Sequence, residues 1–462
     1  MSMFVSARFV SAWFTCACLL LVAPPALAGD PPIARALLAP ELAALNDEEL
    51  ARIGAMSPLP ALPADPTNRV ADSLAAAQLG HRLFFDKRLS PKGISCASCH
   101  DPALAFTDAK PLAQGIATAR RNTPTILDAA RRRWNGWDGK FDSLWSQALS
   151  PLENPMEMGS SRARLLQVVR DDPDLRARYN AIFGDFPSEL AAGARDPLAT
   201  VLATVLAPVP ATVPSTVPST VPSPAPATQA LIDATTANVL KSLGAYQRKL
   251  LSGPAPIDRF VDGLNGKQGG DLDALSPAAR RGLATFVSKG GCYQCHRGPS
   301  FTDEEFHALG LAGANGRVPD DPARLAAVDF LRANPFNCAG ILSDARDSAK
   351  ANMVKGLRRS SELFGQFRTP SLRGVALTAP YMHDGRFASL DAVAHFYDTL
   401  DGASPIGHHG ESVLVPLDLG ASGRADLVEF LRALGTDVSL GDPWKVNPLV
   451  EAARTESQAV GR

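Results

Sequence analysis

Apolar positions along this chain recur mostly at helical spacing. From Ser73 onward, Leu74, Leu79, Leu83 and Phe84 mark one face of a predicted helix that leads to a Ser90-Pro91 turn signal. The same approach is written again much later. Ser276 is a capping residue, Pro277 suits a first helical turn, and Leu283, Phe286 and Val287 give an apolar face before a Gly290-Gly291 break. Further helices are predicted over 42–53, 236–251 and 424–434, the last stopped by Gly435. Period-two alternation is scarce, so the expectation is a mainly α fold with few or no strands.

Several stretches fall outside this pattern. Residues 199–229 hold proline at seven positions, include the near-repeats Val213-Pro214-Ser215-Thr216 and Val217-Pro218-Ser219-Thr220, and carry no charge. Such a tract reads as an extended, solvated insert. Residues 29–72 are rich in Pro and Ala and read as an N-terminal arm lying on the body, while 441–462 read as a loosely ordered tail. Residues 1–28 join an Arg8-containing start, an apolar run from Phe9 to Val22 and an Ala26-Leu27-Ala28 cleavage pattern. They predict an export signal removed after Ala28 and a periplasmic mature protein without a membrane span. The formal net charge of −1 supplies no field for a polyanion, which excludes nucleic acid as a partner.

The chemistry concentrates in cysteine. Of the seven cysteines, Cys16 and Cys18 fall in the signal, Cys338 stands alone as a buried inert thiol, and four form two CxxCH strings. These strings are Cys96-Ala97-Ser98-Cys99-His100 and Cys292-Tyr293-Gln294-Cys295-His296. In such a string the thiols add to the haem vinyl groups and the histidine is presented to the iron. Structural zinc sites pair their CxxC motifs at much shorter separation. Two covalently bound c-type haems are therefore predicted, in tandem cytochrome c-like domains over 73–270 and 271–440. An iron closed on both faces carries electrons, whereas one with an open face can bind a small oxidant. The histidines stand at 81, 100, 296, 307, 383, 395, 408 and 409, so none lies between His100 and His296. Met156 and Met158 are the local sulfur candidates, and an open first haem is the economical reading.

Beyond the CxxCH strings, other matching strings run from about Leu79 to Leu434: Leu83-Phe84-Phe85-Asp86, Arg88-Leu89-Ser90, Phe106-Thr107-Asp108, Arg121-Asn122-Thr123-Pro124, Trp137-Asp138-Gly139, Pro151 to Met158, Phe367 to Arg373 and Leu377 to Gly385. Through them the chain resembles the bacterial di-haem cytochrome c peroxidases and their relatives of the MauG type. The resemblance implies that His100 is the proximal ligand of a peroxide-binding haem, with Glu157 as the acid/base group above its open face and Gln147 and Pro151 lining the same pocket. It implies Trp137 as a relay between the haems, and a calcium ion held by Asn122, Thr378 and Pro380, a hard cation suited to oxygen ligands. On the second iron, opposite His296, it implies Tyr397, with Met382 and His395 as rivals. Peroxidases fed by small cytochromes use Met there, and MauG-type enzymes use Tyr.

One departure matters: Gly290-Gly291 stand where MauG carries the surface Trp through which it modifies its protein partner. The activity implied is a periplasmic di-haem peroxidase. The alternatives are a MauG-like oxidase acting on a protein or organic substrate, and a di-haem electron carrier without catalysis. The partners implied are hydrogen peroxide, a small electron-donor protein or other reductant, and a second copy of the chain.

Overall fold

The computed structural model describes residues 35, 38–191, 225–313, 320–404, 414–435 and 442–450. The predicted signal, most of the Pro-rich tract, and His408 and His409 lie outside the described residues.

Local capping sets where the helices begin. In α1 (Asp47–Gly54) the Asn46 side chain accepts from the Glu49 N–H while the Glu49 carboxylate accepts from the Asn46 N–H, both at 2.9 Å. This box starts the helix later than the predicted 42, and Pro40–Leu42 form a separate 3₁₀ turn. Ser73, Ser143 and Ser161 cap α2 (Leu74–Phe84), α3 (Leu144–Glu153) and α4 (Arg162–Asp171) by accepting from a first-turn N–H, and Asp172 caps α5 (Pro173–Phe183). The helix expected from 236 begins earlier, as α6 (Pro226–Gln247), so the last residues of the predicted insert are helical. Pro226 is tolerated because the N–H it lacks would have no partner in a first turn anyway. There follow α7 (Pro256–Leu264), α8 (Pro277–Val287), α9 (Arg324–Ala333), α10 (Ala349–Gly356), α11 (Leu390–Thr399) and α12 (Gly420–Arg432). The strands described are β1 (Phe306–His307) and β2 (Phe367–Arg368), antiparallel with Phe306 opposite Arg368.

The two halves repeat one packing device. Where α2 crosses α6, a Cβ on Gly80 would lie 2.0 Å from the Ser242 carbonyl oxygen. Where α8 crosses α12, a Cβ on Gly282 would lie 2.0 Å from the Asp426 carbonyl oxygen. Each helix that precedes a CxxCH string thus meets a later helix backbone to backbone, at a glycine that admits no side chain. The first core gathers Leu79, Leu83, Trp145, Leu240 and Tyr246. The second gathers Leu283, Phe286, Phe301, Phe430 and Leu431.

Chain order is not spatial order. Leu42, Leu50, Ile53 and Met56 of the N-terminal arm are buried in the second core, and Phe336 is buried in the first. At about 1.5–3 kcal/mol for each fully buried side chain of this size, the arm is anchored rather than draped. The tail expected to be loose is docked over 442–450. Trp444 and Leu449 pack against the first core and the Tyr246 hydroxyl donates to the Trp444 carbonyl at 2.8 Å. An indole offers enough apolar area to hold a short segment that otherwise looks disordered by composition.

Candidate active site

Both CxxCH strings fold into the same 3₁₀ turn, Cys96–Ser98 and Cys292–Gln294. The His100 N–H donates to Cys96 O and the His296 N–H to Cys292 O, each at 2.9 Å. His100 Nδ1 lies 3.0 Å from Phe106 O and His296 Nδ1 lies 2.9 Å from Phe301 O. A carbonyl only accepts, so Nδ1 carries the proton and Nε2 keeps its lone pair for a metal. Burial holds both imidazoles below the usual histidine range, in the neutral form a ligand requires. Burial also pushes Cys96 and Cys292 up to about 12 and Cys99 up to about 11, and the described cysteines form no disulfide. Cys295, Asp303 and His307 do bring ligand-type atoms within 4.8 Å of one another, but Cys295 belongs to the attachment loop and His307 is paired to Asp303 at 2.9 Å.

Two arginines also fit a bound porphyrin. Arg132 donates to the carbonyls of Thr125 and Leu127 at 2.9 and 3.2 Å, and burial, then the nearby Arg368, depress it to about 10. Arg368 pairs with Glu304 at 3.1 Å yet keeps a buried Nε without a partner. Incompletely neutralised guanidinium groups are costly inside a protein, and carboxylates carried by a haem would relieve them.

Around the first string, Gln147 and Pro151 stand four residues apart on α3 and share a face. The helix ends at Asn154, whose Nδ2 donates to Glu157 Oε1 at 2.6 Å. A short hairpin over 113–121 clamps the same turn. Ile116 N–H donates to Glu157 O and Ala117 N–H to Met156 O, both at 2.9 Å. Gly115 lies so close that a Cβ there would be 2.5 Å from Glu157 Cα. Burial raises the Glu157 carboxyl above its ordinary range, with Asn154 and Lys140 partly opposing. After burial, the charges of Asp108 and Glu157 raise Cys99, which sets Glu157 beside the first attachment loop. Met158 packs in the first core, whereas Met156 is exposed at the surface.

Between the halves, Trp137 is fixed twice. Its indole N–H donates to Asn122 O at 2.9 Å, and its carbonyl accepts from the Arg368 N–H at 2.8 Å. Arg121 locks the seam by binding Asp138 at 2.6 Å and both carboxylate oxygens of Asp321 at 2.8 Å. The Asn122 N–H donates to His383 O at 2.8 Å, and so draws Asn122 against the loop of Thr378 and Pro380. Asn122 Nδ2 donates to Lys110 O at 2.8 Å. Among the described residues, no protein donor reaches Asn122 Oδ1 or the Thr378 and Pro380 carbonyls. Such oxygens fit a hard cation.

At the second string, Tyr397 on α11 is held well above the usual phenol range, first by burial and then by Cys292 and Cys295. Leu390 and Ala394 of the same helix lie in the second core, against which Cys292 packs. His395 is exposed near Asp401, and Met382 occupies a turn with left-handed backbone. Asn154, the 113–121 hairpin and the pair Arg132 and Arg368 escaped the sequence reading. Only Asn154-Pro155 carried a signal, as a turn dipeptide.

Residues 74–266 match a family profile described as di-haem cytochrome c peroxidase. The chain is 31% identical to cytochrome-c peroxidase IdrP1 of Pseudomonas sp. (strain SCT), over 82% of this chain and 85% of that protein. It is 30% identical to the methylamine utilization protein MauG of Methylorubrum extorquens, over 77% of each. Among solved structures it resembles a MauG-like protein associated with microbial copper homeostasis, with a TM-score of 0.57, 26% identity, and coverage of 85% of this chain and 98% of the other.

Proposed function

Because the chain belongs to the di-haem cytochrome c peroxidase and MauG family, whose members are oxidoreductases carrying two c-type haems, we propose that it is an exported, periplasmic peroxidase in which the two motifs have unequal tasks. Hydrogen peroxide is reduced at the haem of Cys96, Cys99 and His100, and electrons arrive through the haem of Cys292, Cys295 and His296. One observation carries this reading: two attachment loops of the same local geometry differ in what faces them. The helix that carries Tyr397 packs into the core against which Cys292 lies, and Glu157 is held by the 113–121 hairpin, whose Gln114 carbonyl is 3.5 Å from Cys99 Sγ. The histidines described outside the motifs are engaged elsewhere. His81 bonds to Val446 O, His307 to Asp303, His383 stacks on Phe367, and His395 is exposed.

The haems, when bound, supply the redox chemistry. His100 and His296 would hold the haem irons through Nε2, and Tyr397 would hold the second from the other side, a hard anionic donor that would favour the oxidised state. Glu157 takes a proton from one peroxide oxygen and returns it to the other as the O–O bond breaks, a task suited to a carboxyl with a raised pKa. Gln147 and Pro151 shape the pocket. Trp137 bridges the two centres from a position fixed by Asn122 and Arg368. A calcium ion at Asn122, Thr378 and Pro380 stiffens the same seam.

Low-temperature EPR tests the asymmetry. The oxidised protein should show one high-spin and one low-spin centre, and Tyr397→Phe should change only the low-spin signal. Two low-spin signals would leave an electron carrier. The phenol at the second string also favours a MauG-like oxidase, whereas Gly290-Gly291 remove the surface indole that MauG uses. Poor turnover of small cytochromes, with an oxidised state that persists after peroxide addition, would select that reading.

A further inference from the structure

In the core against which Cys96 packs, aromatic rings run toward the surface. Tyr246 is fully buried in the cluster against which Cys96 packs. The His81 ring stacks on Tyr246 with centroids 4.8 Å apart at 18°, and lies 5.5 Å from Trp444. Tyr246 and Trp444 are 6.3 Å apart, and Phe84 adds a ring 5.0 Å from Tyr246. Trp444 is half-buried at the outer end. The docked tail over 442–450 therefore places an oxidisable indole one ring beyond Tyr246, in the core against which Cys96 packs.

Resting on the peroxidase reading above, we propose that Trp444 is a second redox site, which gives one electron through the Tyr246 and His81 rings to the oxidised first centre and then recovers it from a phenolic reductant at the surface. The chemistry balances. The indole loses one electron inward and its N–H proton to water, leaving a neutral indolyl radical. A phenol then donates a hydrogen atom to that radical, which restores the indole and releases a phenoxyl radical. Two such cycles supply the two electrons that convert one peroxide and two protons into two waters. Tyr246 serves as a bridge and not as the terminal radical, because its hydroxyl donates to the Trp444 carbonyl, which cannot accept a proton outright. Burial, then the neighbouring Cys96, hold its phenol well above the usual range, so it keeps that proton.

The test uses the haem-loaded full chain. Peroxide is added without reductant, and peptide mass spectrometry maps oxygen addition. Oxidation should concentrate at Trp444. With a simple phenol as donor, peroxide turnover should be lost in Trp444→Phe, while turnover with a reduced small cytochrome stays at the wild-type level. If the wild type turns over peroxide with the cytochrome but leaves Trp444 unmodified, or if Trp444→Phe keeps phenol turnover, the relay is overturned and the peroxidase reading stands. If the wild type consumes no peroxide with any reductant, both fall. The wild-type map needs no variant, so a poorly folded Trp444→Phe does not leave the question undecided.

Discussion

Replacing Asn154 by Ala isolates the protonation behaviour of Glu157. The carboxyl is raised chiefly by burial, and the Asn154 amide, donating to Oε1 at 2.6 Å, favours the ionised form and so restrains that rise. A hydrogen bond to a charged group contributes about 1.5–3 kcal/mol. Its loss should therefore raise the Glu157 pKa further. The sign is fixed by which form acts. Peroxide must first give up a proton to the carboxylate, so activity is present above the Glu157 pKa and falls as pH drops through it. The assay is kcat/KM for peroxide across pH, with haem content matched between proteins. Asn154→Ala should move the acidic limb upward while keeping most of the high-pH plateau. Asn154→Asp, which keeps the acceptor for the Met156 N–H but faces Glu157 with a like charge, should move it further. Glu157→Gln should abolish the limb and lower the plateau by about 10²–10⁴-fold. A limb that stays in place in Asn154→Ala, or survives in Glu157→Gln, refutes the assignment of Glu157.

Four other outcomes are expected. Arg373→Met should destabilise the fold by about 3–5 kcal/mol in denaturant titrations, because it strands Asp258 in a pair whose side chains are only 2% and 11% exposed and also removes a bond to the arm at Met56 O. Burial pushes the Asp258 carboxyl up, but the Arg373 bonds outweigh it and leave the group below the usual range, so this stabilisation is present at neutral pH and lost as pH falls through the low folded pKa. The double change Cys96→Ala and Cys99→Ala should halve covalent haem per chain, read by the pyridine haemochrome spectrum. Tyr397→Phe should raise the reduction potential of the second haem in a spectroelectrochemical titration, since an anionic donor to oxidised iron is removed. Added calcium at about a hundred times its dissociation constant should stabilise the protein by about 2.7 kcal/mol in thermal melts, and Asn122→Ala should cancel the effect.

Legibility from sequence followed the range of the interactions. The attachment loops were readable because a CxxCH turn is made by neighbours in the chain, down to the bond from His100 to Cys96 O. Their preceding helices were readable because Ser73 and Ser276 cap within one turn. What escaped depended on partners far along the chain. The arm's burial in the second core and the tail's docking on the first are set by Met56, Leu42 and Trp444 finding surfaces that no local pattern announces. Asn154 was legible only as a turn residue, since its bond to Glu157 requires the α3 C-terminus to be known. Arg132 and Arg368 had no role assigned from sequence, and only their burial identifies them as groups awaiting carboxylates.

The same contrast bears on how two equal motifs come to differ. The two CxxCH turns share their backbone form: both close with a 2.9 Å histidine N–H bond and both imidazoles are oriented by a backbone carbonyl. The distinction arrives from elements that return to the loop, the α3 turn with Glu157 on one side and α11 with Tyr397 on the other. A change inside a motif should therefore remove a haem, whereas a change in a returning element should convert its role while leaving it bound. The seam that joins the two centres rests on residues adjacent in sequence, Arg121 with Asn122 and Trp137 with Asp138, and each pair reaches across to the other half through Asp321, His383 and Arg368. On the proposed relay, short polar bonds around one indole would carry the coupling between the motifs, and weakening the Arg121 clamp should slow electron passage between haems before it lowers either haem's own occupancy.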